Sequence, residues 1–237
     1  GGAAVENTDG TINSQVSVNN SLGFSIVSWT GNGNDATVGT GLGQQAELVI
    51  TKGTANLATY NSWITYHTDL STNYHLYLNT ADSQQNGQGN YFRDSAFTSE
   101  VFGVGDDVYG PNVSGTNMIA YCFTSKPGFS KVSYYTGNGS ANGPMVQTGF
   151  EPAFLMIKRT DSAEDWKIID NKRGIDFANS LEPNESIAEQ VGNNSNFVLT
   201  TNGFIIGDLH GDYNANGGTY IYLAIAADGS TATPSLA

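Results

Sequence analysis

The chain has 237 residues, enough for one large β domain or two domains of about 100 residues each. With 9 Lys plus Arg against 22 Asp plus Glu it carries a formal charge of −13, which leaves no basic stripe for a nucleic acid. No run approaches the ~18 apolar residues of a membrane-spanning helix, and the single cysteine, Cys122, excludes an intramolecular disulfide and reads as a buried thiol.

In chain order, residues 1–23 are rich in Gly, Asn, Thr and Ser with isolated valines, and are expected to be a linker or one extended leader strand. Phe24-Ser-Ile-Val-Ser-Trp29 alternates and runs into Thr30-Gly31-Asn32-Gly33, a strand followed by a turn. The glycines between 35 and 45 predict turn or edge, and 46–52 predicts a central strand. Trp63–His67 and Tyr74–Asn79 alternate about the connection Asp69-Leu70-Ser71-Thr72, as in a hairpin. Residues 80–90 form a polar loop, and 97–104 and 116–124 predict the last strands before Pro127-Gly128.

The same order then recurs. Thr136-Gly137-Asn138-Gly139 follows Thr30-Gly31-Asn32-Gly33 by 136 − 30 = 106 residues, and Gly149 follows Gly43 by the same interval. Glu47-Leu-Val-Ile-Thr-Lys52 answers to Ala153-Phe-Leu-Met-Ile-Lys158, Trp63 to Trp166, Phe102 to Phe204, and the run from Thr116 to the run from Thr219. An interval of that size is a whole small domain rather than a solenoid turn. The reading is therefore all-β: a leader (1–23), two tandem antiparallel β-sandwich domains of lectin-like or jelly-roll-like architecture (24–128 and 129–228), and a flexible tail (229–237). Residues 171–191 depart from the plan, and Glu185–Gln190 there is expected to form the chain's only helical turn.

Features kept in both copies report on the fold, so Trp63 and Trp166 are expected to be core or inter-sheet anchors. Function is expected where the copies differ: 80–90, 105–115, 171–191 and 207–218. In the last of these Asp208, His210, Asp212, Asn214 and Asn216 alternate like the first half of a calcium loop. The bidentate carboxylate such a loop requires at its twelfth position is replaced by Leu223, so a polar hairpin tip is preferred and no metal or cofactor is assigned. Glu164 and Asp165 are neighbours that a strand would send to opposite faces, and Glu182, Glu185 and Glu189 read as a solvated face, so no carboxylate pair for glycoside hydrolysis is assembled. His67, His75 and His210 are scattered and no nucleophile motif is present, which predicts no catalytic residue and no enzyme. Tyr60, Tyr91, Tyr109 and Tyr213 are candidates for stacking on sugars, against the commoner fate of a solvated turn residue.

The order Gly-Phe-Ser-Ile-Val-Ser-Trp-Thr-Gly-Asn-Gly33, Val38-Gly-Thr-Gly-Leu-Gly43, Trp-Ile-Thr-Tyr-His67 and Ile-Ala-Tyr-Cys-Phe123 resembles repeats in virion and tail-fibre proteins of marine bacteriophages, catalogued as a domain of unknown function. The second copy continues the resemblance with Thr-Gly-Phe-Glu-Pro152 and Ile-Lys-Arg-Thr-Asp161. What it implies is a tail-fibre or related virion appendage module, virion-borne or extracellular, that serves structure and host attachment and carries no catalytic residue. It also implies a longer modular parent of which this is the C-terminal portion, in keeping with a first residue that is Gly rather than Met. The expected partners are copies of itself, as a trimer or filament, and a host-surface glycan. Two alternatives are a self-assembling filament or decoration subunit that uses strand addition by the leader, and a carbohydrate-binding module of a secreted glycan-active protein.

Overall fold

A computed structural model describes residues 2–54, 62–173, 179–192 and 197–227. Among these it is almost entirely β, with several antiparallel sheets. The chain divides into two compact units, one of Gly1–Leu78 and Gln84–Thr124, the other of Asn79–Ser83 and Ser125–Ala237.

Unit 1 is built on an eight-stranded sheet in the order β1-β2-β3-β10-β5-β6-β7-β8. Its strands are β1 (Val5–Asn7), β2 (Ser14–Asn19), β3 (Phe24–Thr30), β5 (Leu48–Gly53), β6 (Ile64–His67), β7 (Tyr74–Tyr77), β8 (Gln85–Asn86) and β10 (Asn117–Phe123). A second sheet pairs β4 (Ala36–Gly39) with β9 (Val101–Val104), and Phe92 bridges to Val104 beside it. The core lies between the two sheets: Val27, Val49, Tyr66 and Ala120 from the larger meet Val38, Phe102 and Val104 from the smaller. Tyr66 and Phe97 stack there at 4.1 Å between centroids, and Trp29 meets Phe102 edge-on at 5.5 Å. Cys122 is a fully buried thiol in the same core, and burial pushes its pKa up to about 12.

The leader, expected as a linker or one extended strand, forms two paired strands of the sheet. β2 pairs with β3 from Ser14↔Trp29 to Asn19↔Phe24, β1 pairs back onto β2, and Val16 is only 2% exposed. Gly10 lies so close to β4 that a Cβ there would come within 2.4 Å of Thr37 O. The polar half of the Ser-Gln-Val-Ser-Val-Asn alternation faces outward, which is why the segment reads as a spacer although its valines serve the sheet.

Unit 2 has a four-stranded sheet in the order β11-β17-β13-β14 and a three-stranded sheet in the order β12-β16-β15. The strands are β11 (Ser130–Thr136), β12 (Met145–Gln147), β13 (Pro152–Arg159), β14 (Lys167–Asp170), β15 (Phe197–Thr200), β16 (Gly203–Ile206) and β17 (Thr219–Ala226). Its core again lies between sheets, with Leu155, Ile157, Tyr220, Tyr222 and Ala224 against Val146, Phe197, Phe204 and Ile206.

Each unit closes its first long strand with the same bonds. In unit 1, Gly31 N donates to Thr116 O (2.9 Å), Gly33 N to Asn112 O (2.9 Å) and Asn32 N to Asn112 Oδ1 (3.1 Å). In unit 2, Gly137 N donates to Gly218 O (2.8 Å), Gly139 N to Asn214 O (3.1 Å) and Asn138 N to Asn214 Oδ1 (2.8 Å). Glycine is required at the first turn position because a Cβ on Gly31 or Gly137 would lie 2.2 or 2.3 Å from a backbone carbonyl oxygen. The strand registers place Asn117 opposite Thr30 and Thr219 opposite Thr136, so Thr219 answers to Asn117, one residue from the expected match with Thr116.

The stretch 171–191 holds no helix among its described residues. Ser180 and Gln190 exchange backbone hydrogen bonds of 3.0 and 2.9 Å, and Leu181 bridges Ile168 on β14. These pairings have the order of His75↔Gln85 and Thr65↔Leu76 in unit 1. The six residues Glu185–Gln190 are closed into a loop by that bridge and are too few to nucleate a helix unaided. The helical turns are instead a 3₁₀ turn at Asp94–Ala96 and α1 (Gly211–Asn214), whose N-cap is His210, accepting from Asp212 N at 3.3 Å. The tail 229–237 and Tyr60 lie outside the described residues.

Candidate functional site

A pocket of about 430 Å3 in unit 2 is lined by Asp165, Lys167, Glu182, Asp208, His210, Asp212 and Tyr213. Three stretches supply it, two of them the segments 171–191 and 207–218 in which function was expected. Lys167, the first residue of β14, stands at its centre. Its ammonium is 2.8 Å from Asp212 Oδ2 and also contacts Glu182 Oε1, and the three side chains are only 8, 5 and 8% exposed. Burial opposes the charge on Lys167, but the hydrogen bonds to Asp212 and Glu182 outweigh it and hold the ammonium above the ordinary lysine range. The Lys167 Nζ also lies 5.9 Å from the centroid of the buried Tyr213 ring.

Asp212 is the hub of the charged wall. Its Oδ1 accepts from Asp165 N at 3.3 Å, and its Oδ2 lies 3.1 Å from His210 Nδ1. Asn184 clamps the neighbouring loop, donating from Nδ2 to Asp165 Oδ1 (2.7 Å) and accepting at Oδ1 from Trp166 N (2.9 Å). Glu164 has its carboxyl raised above the usual carboxylate range, by burial first and then by its hydrogen bond to Asp212 and that residue's charge. Behind the pocket, the fully buried Lys158 donates to Arg159 O (2.6 Å) and Ala81 O (3.3 Å). Burial lowers its pKa to about 8 against the opposing charges of Glu164, Asp212, Asp165 and Asp82.

Several expectations change. Glu164 and Asp165 lie in the loop before β14, not on a strand; the Glu164 carboxyl is hydrogen-bonded to Asp212, while Asp165 meets Asp212 through its backbone N–H and turns its carboxylate to Asn184. Glu182 is buried against Lys167 rather than solvated, whereas Glu185 and Glu189 are exposed. Of the alternating set, Asp208, His210 and Asp212 reach the pocket, but Asn214 does not. It is fully buried in the turn cluster, where its Nδ2 donates to Ser140 O (2.9 Å) and Gly143 O (2.8 Å). Asn216 sits against Gly139, where a glycine Cβ would meet its side chain at 2.8 Å. The alternation thus divides between an ion-pair cluster and a structural loop, and does not converge on one centre.

Of the tyrosines, Tyr213 lines the pocket at 3% exposure, Tyr109 is exposed in unit 1, and Tyr91 is half-buried and stacked on His75 at 4.1 Å. Trp166 is 1% exposed, but Trp63 is only half-buried, its ring stacked on Tyr121 at 6.2 Å with Lys52 Nζ 5.0 Å from its centroid. Residues 88–90 of the polar loop line a smaller hollow of about 260 Å3 in unit 1, beside the Arg93–Asp35 ion pair at 2.9 Å.

Lys167 escaped sequence reasoning. The signal available was the position after each of the two matched tryptophans, Ile64 in unit 1 and Lys167 in unit 2: a charge in one where the other has an apolar strand residue. By strand register Ile64 and Tyr77 of unit 1 stand where Lys167 and Glu182 stand in unit 2, and Gly110, two residues before Asn112, answers to Asp212, two before Asn214, whose turn bonds match, so the charged cluster has no counterpart there.

Residues 1–228 match one family, described as a domain of unknown function (DUF7483), in a single match that runs across both units. No curated protein and no solved structure matches the chain.

Proposed function

We propose, for a chain that belongs to the DUF7483 family of domains of unknown function, a non-enzymatic attachment module of a virion appendage, made of two copies of one β-sandwich plan and binding a host-surface glycan through the pocket of unit 2. The shared turn bonds and the shared strand registers support the reading of two copies. The observation that carries the binding reading is the contrast between them: the same plan holds a pocket of acceptors, a cation and a tyrosine in unit 2, and Ile64, Tyr77 and Gly110 in unit 1. Carboxylates and an imidazole at the rim suit sugar hydroxyls, and the volume lies in the range of small-ligand pockets. The virion context rests on the resemblance of the sequence motifs alone.

A glycan array probed with the whole chain and with an Asp208→Ala/His210→Ala double variant tests this. The wild type is expected to retain a subset of glycans and the variant to lose about tenfold in affinity or more. A wild type that retains none would remove the proposal.

A second reading, self-assembly into a trimer or filament, is favoured by one observation: β1 is the outer strand of the eight-stranded sheet, and its Val5 is 62% exposed. Deleting the leader would remove Val16 from the core, so Val5→Pro is the cleaner probe. Light scattering is expected to show oligomers that the substitution dissociates; a monomeric wild type would end this reading.

A further inference from the structure

Lys167, Asp212 and Glu182 come from three segments, and both carboxylates meet the Lys167 ammonium, each side chain nearly buried. Every one is fixed by its own element. Lys167 begins β14, paired through Ile157↔Lys167. Asp212 sits in α1 under its His210 cap. Glu182 follows the Ile168↔Leu181 bridge and opens the turn closed by Glu185 N to Glu182 O at 3.0 Å. An amine and a carboxyl held so are a nucleophile and an electrophile at contact distance, for which effective molarities reach about 10⁵–10⁸ M. From this geometry we propose that unit 2 matures by forming an intramolecular amide between Lys167 Nζ and Asp212 Cγ, with Glu182 as the proton carrier.

The step balances without cofactor or redox partner. One ammonium proton crosses the 2.8 Å from Lys167 Nζ to Asp212 Oδ2, leaving a neutral amine and a neutral acid. The amine lone pair attacks Cγ; Oδ1, which accepts from Asp165 N at 3.3 Å, takes the developing negative charge. Glu182 removes a second proton from the nitrogen and delivers it to Oδ2 as the Cγ–Oδ2 bond breaks. Oδ2 leaves as water with two of the three original ammonium protons, the nitrogen keeps one, and Glu182 ends as it began. Hydrogen bonds favour the ammonium form at rest, which makes the reaction slow rather than forbidden, since it need occur only once per chain.

Asp212 is the acyl group rather than Glu182 because, among the described residues, Asp212 has a backbone N–H on its second oxygen and Glu182 has none. Condensation also replaces two desolvated charges by an amide, relieving the cost of burying them. The resulting link would tie β14 to the loop before β17, a lock suited to a module under load. This does not depend on glycan binding, and the two fail separately, one in mass and the other on an array.

The test is the intact mass of the denatured whole chain, purified after prolonged incubation folded at neutral pH. The expected result is a mass lower than the sequence mass by one water, with a protease-resistant branched peptide joining the segments of Lys167 and Asp212. Lys167→Met and Glu182→Gln variants are expected at the full sequence mass. A wild type at full mass, or a water loss that peptide mapping places elsewhere, for instance as an imide at an Asn-Gly pair, would overturn the proposal. Because the wild type alone decides it, a variant that fails to fold does not blunt the test.

Discussion

Between pH 6.5 and about pH 4 the wild-type chain is expected to lose about 3 kcal/mol of stability that a His75→Phe variant retains. His75, in β7, is 3% exposed, stacked on Tyr91 at 4.1 Å and 7° and set edge-on to Tyr77 at 4.9 Å. Among the described residues neither ring nitrogen has a hydrogen-bond partner, and Gly87 lies close enough that a Cβ there would come within 3.1 Å of Nδ1. Burial alone lowers the imidazole pKa from 6.5 to about 4. The sign follows. The unfolded chain takes up a proton as pH falls through 6.5, while the folded chain refuses it until about pH 4, so stability is complete above 6.5 and falls by about 1.4 kcal/mol per pH unit across the window. Below it both states are protonated and the loss levels off. Phenylalanine keeps the stack and has nothing to protonate. Urea midpoints measured for both proteins at several pH values give the difference directly, and carboxylate titrations common to both cancel. Parallel pH profiles would show that His75 is protonated in the fold without cost.

What the sequence revealed and what it concealed divide by range. β3, β5, β6 and β7 were legible because alternation and turn chemistry are local: Phe24–Trp29 alternates, and Gly-Asn-Gly supplies the turn wherever it falls. For the leader a linker and one extended strand stay open as alternatives, and its two paired strands are not foreseen, because β2 buries one valine deeply and leaves its other side polar, as a spacer does. The alternating polar residues at 208–216 read as a polar hairpin tip in preference to a calcium loop, and that reading does not include the buried partners of Asp212 and Asn214. Spacing does not say that Asp212 turns inward to a lysine, while Asn214, two residues on, turns to the opposite loop. Lys167, Glu182 and Asp212 are 182 − 167 = 15 and 212 − 167 = 45 residues apart, and only the pairing of β13, β14 and β17 brings them together. Helix placement failed for a related reason. Propensity pointed to Glu185–Gln190, but a long-range bridge claims its last residue, while α1 arises from a cap at His210 that no periodicity announces.

Asn214→Ala is expected to destabilise the chain by about 3 kcal/mol or more, and Asn112→Ala by less, about 2 kcal/mol. Both residues are fully buried, and each holds a Gly-Asn-Gly turn against the far end of its own unit. Asn214 satisfies Asn138 N at 2.8 Å, Ser140 O at 2.9 Å and Gly143 O at 2.8 Å; truncation orphans all three. Asn112 accepts from Asn32 N at 3.1 Å and donates to Asn34 O at 2.6 Å and Asn32 Oδ1 at 2.9 Å, but its bonds lie nearer the surface, where water replaces part of what is lost. Packing and hydrogen bonding are separated by Asn214→Asp, which keeps the volume but sets an acceptor against the Ser140 and Gly143 carbonyls; it is expected to cost at least as much as alanine. Thermal or urea unfolding of the three variants reads the ranking, and a well-tolerated Asn214→Asp would mean that shape rather than donor chemistry holds the turn. The consequence reaches the pocket, because Asn214 ends the helical turn whose second residue is Asp212. Its Tyr213 carbonyl also accepts from Tyr135 Oη at 2.8 Å, fixing the same backbone from the core. A loosened turn in unit 2 therefore frees Asp212 from Lys167 and spoils both the pocket proposed to bind glycan and the geometry proposed for the amide, while the same loosening in unit 1 leaves them intact. That asymmetry distinguishes a loop that merely closes a sandwich from one that also positions chemistry.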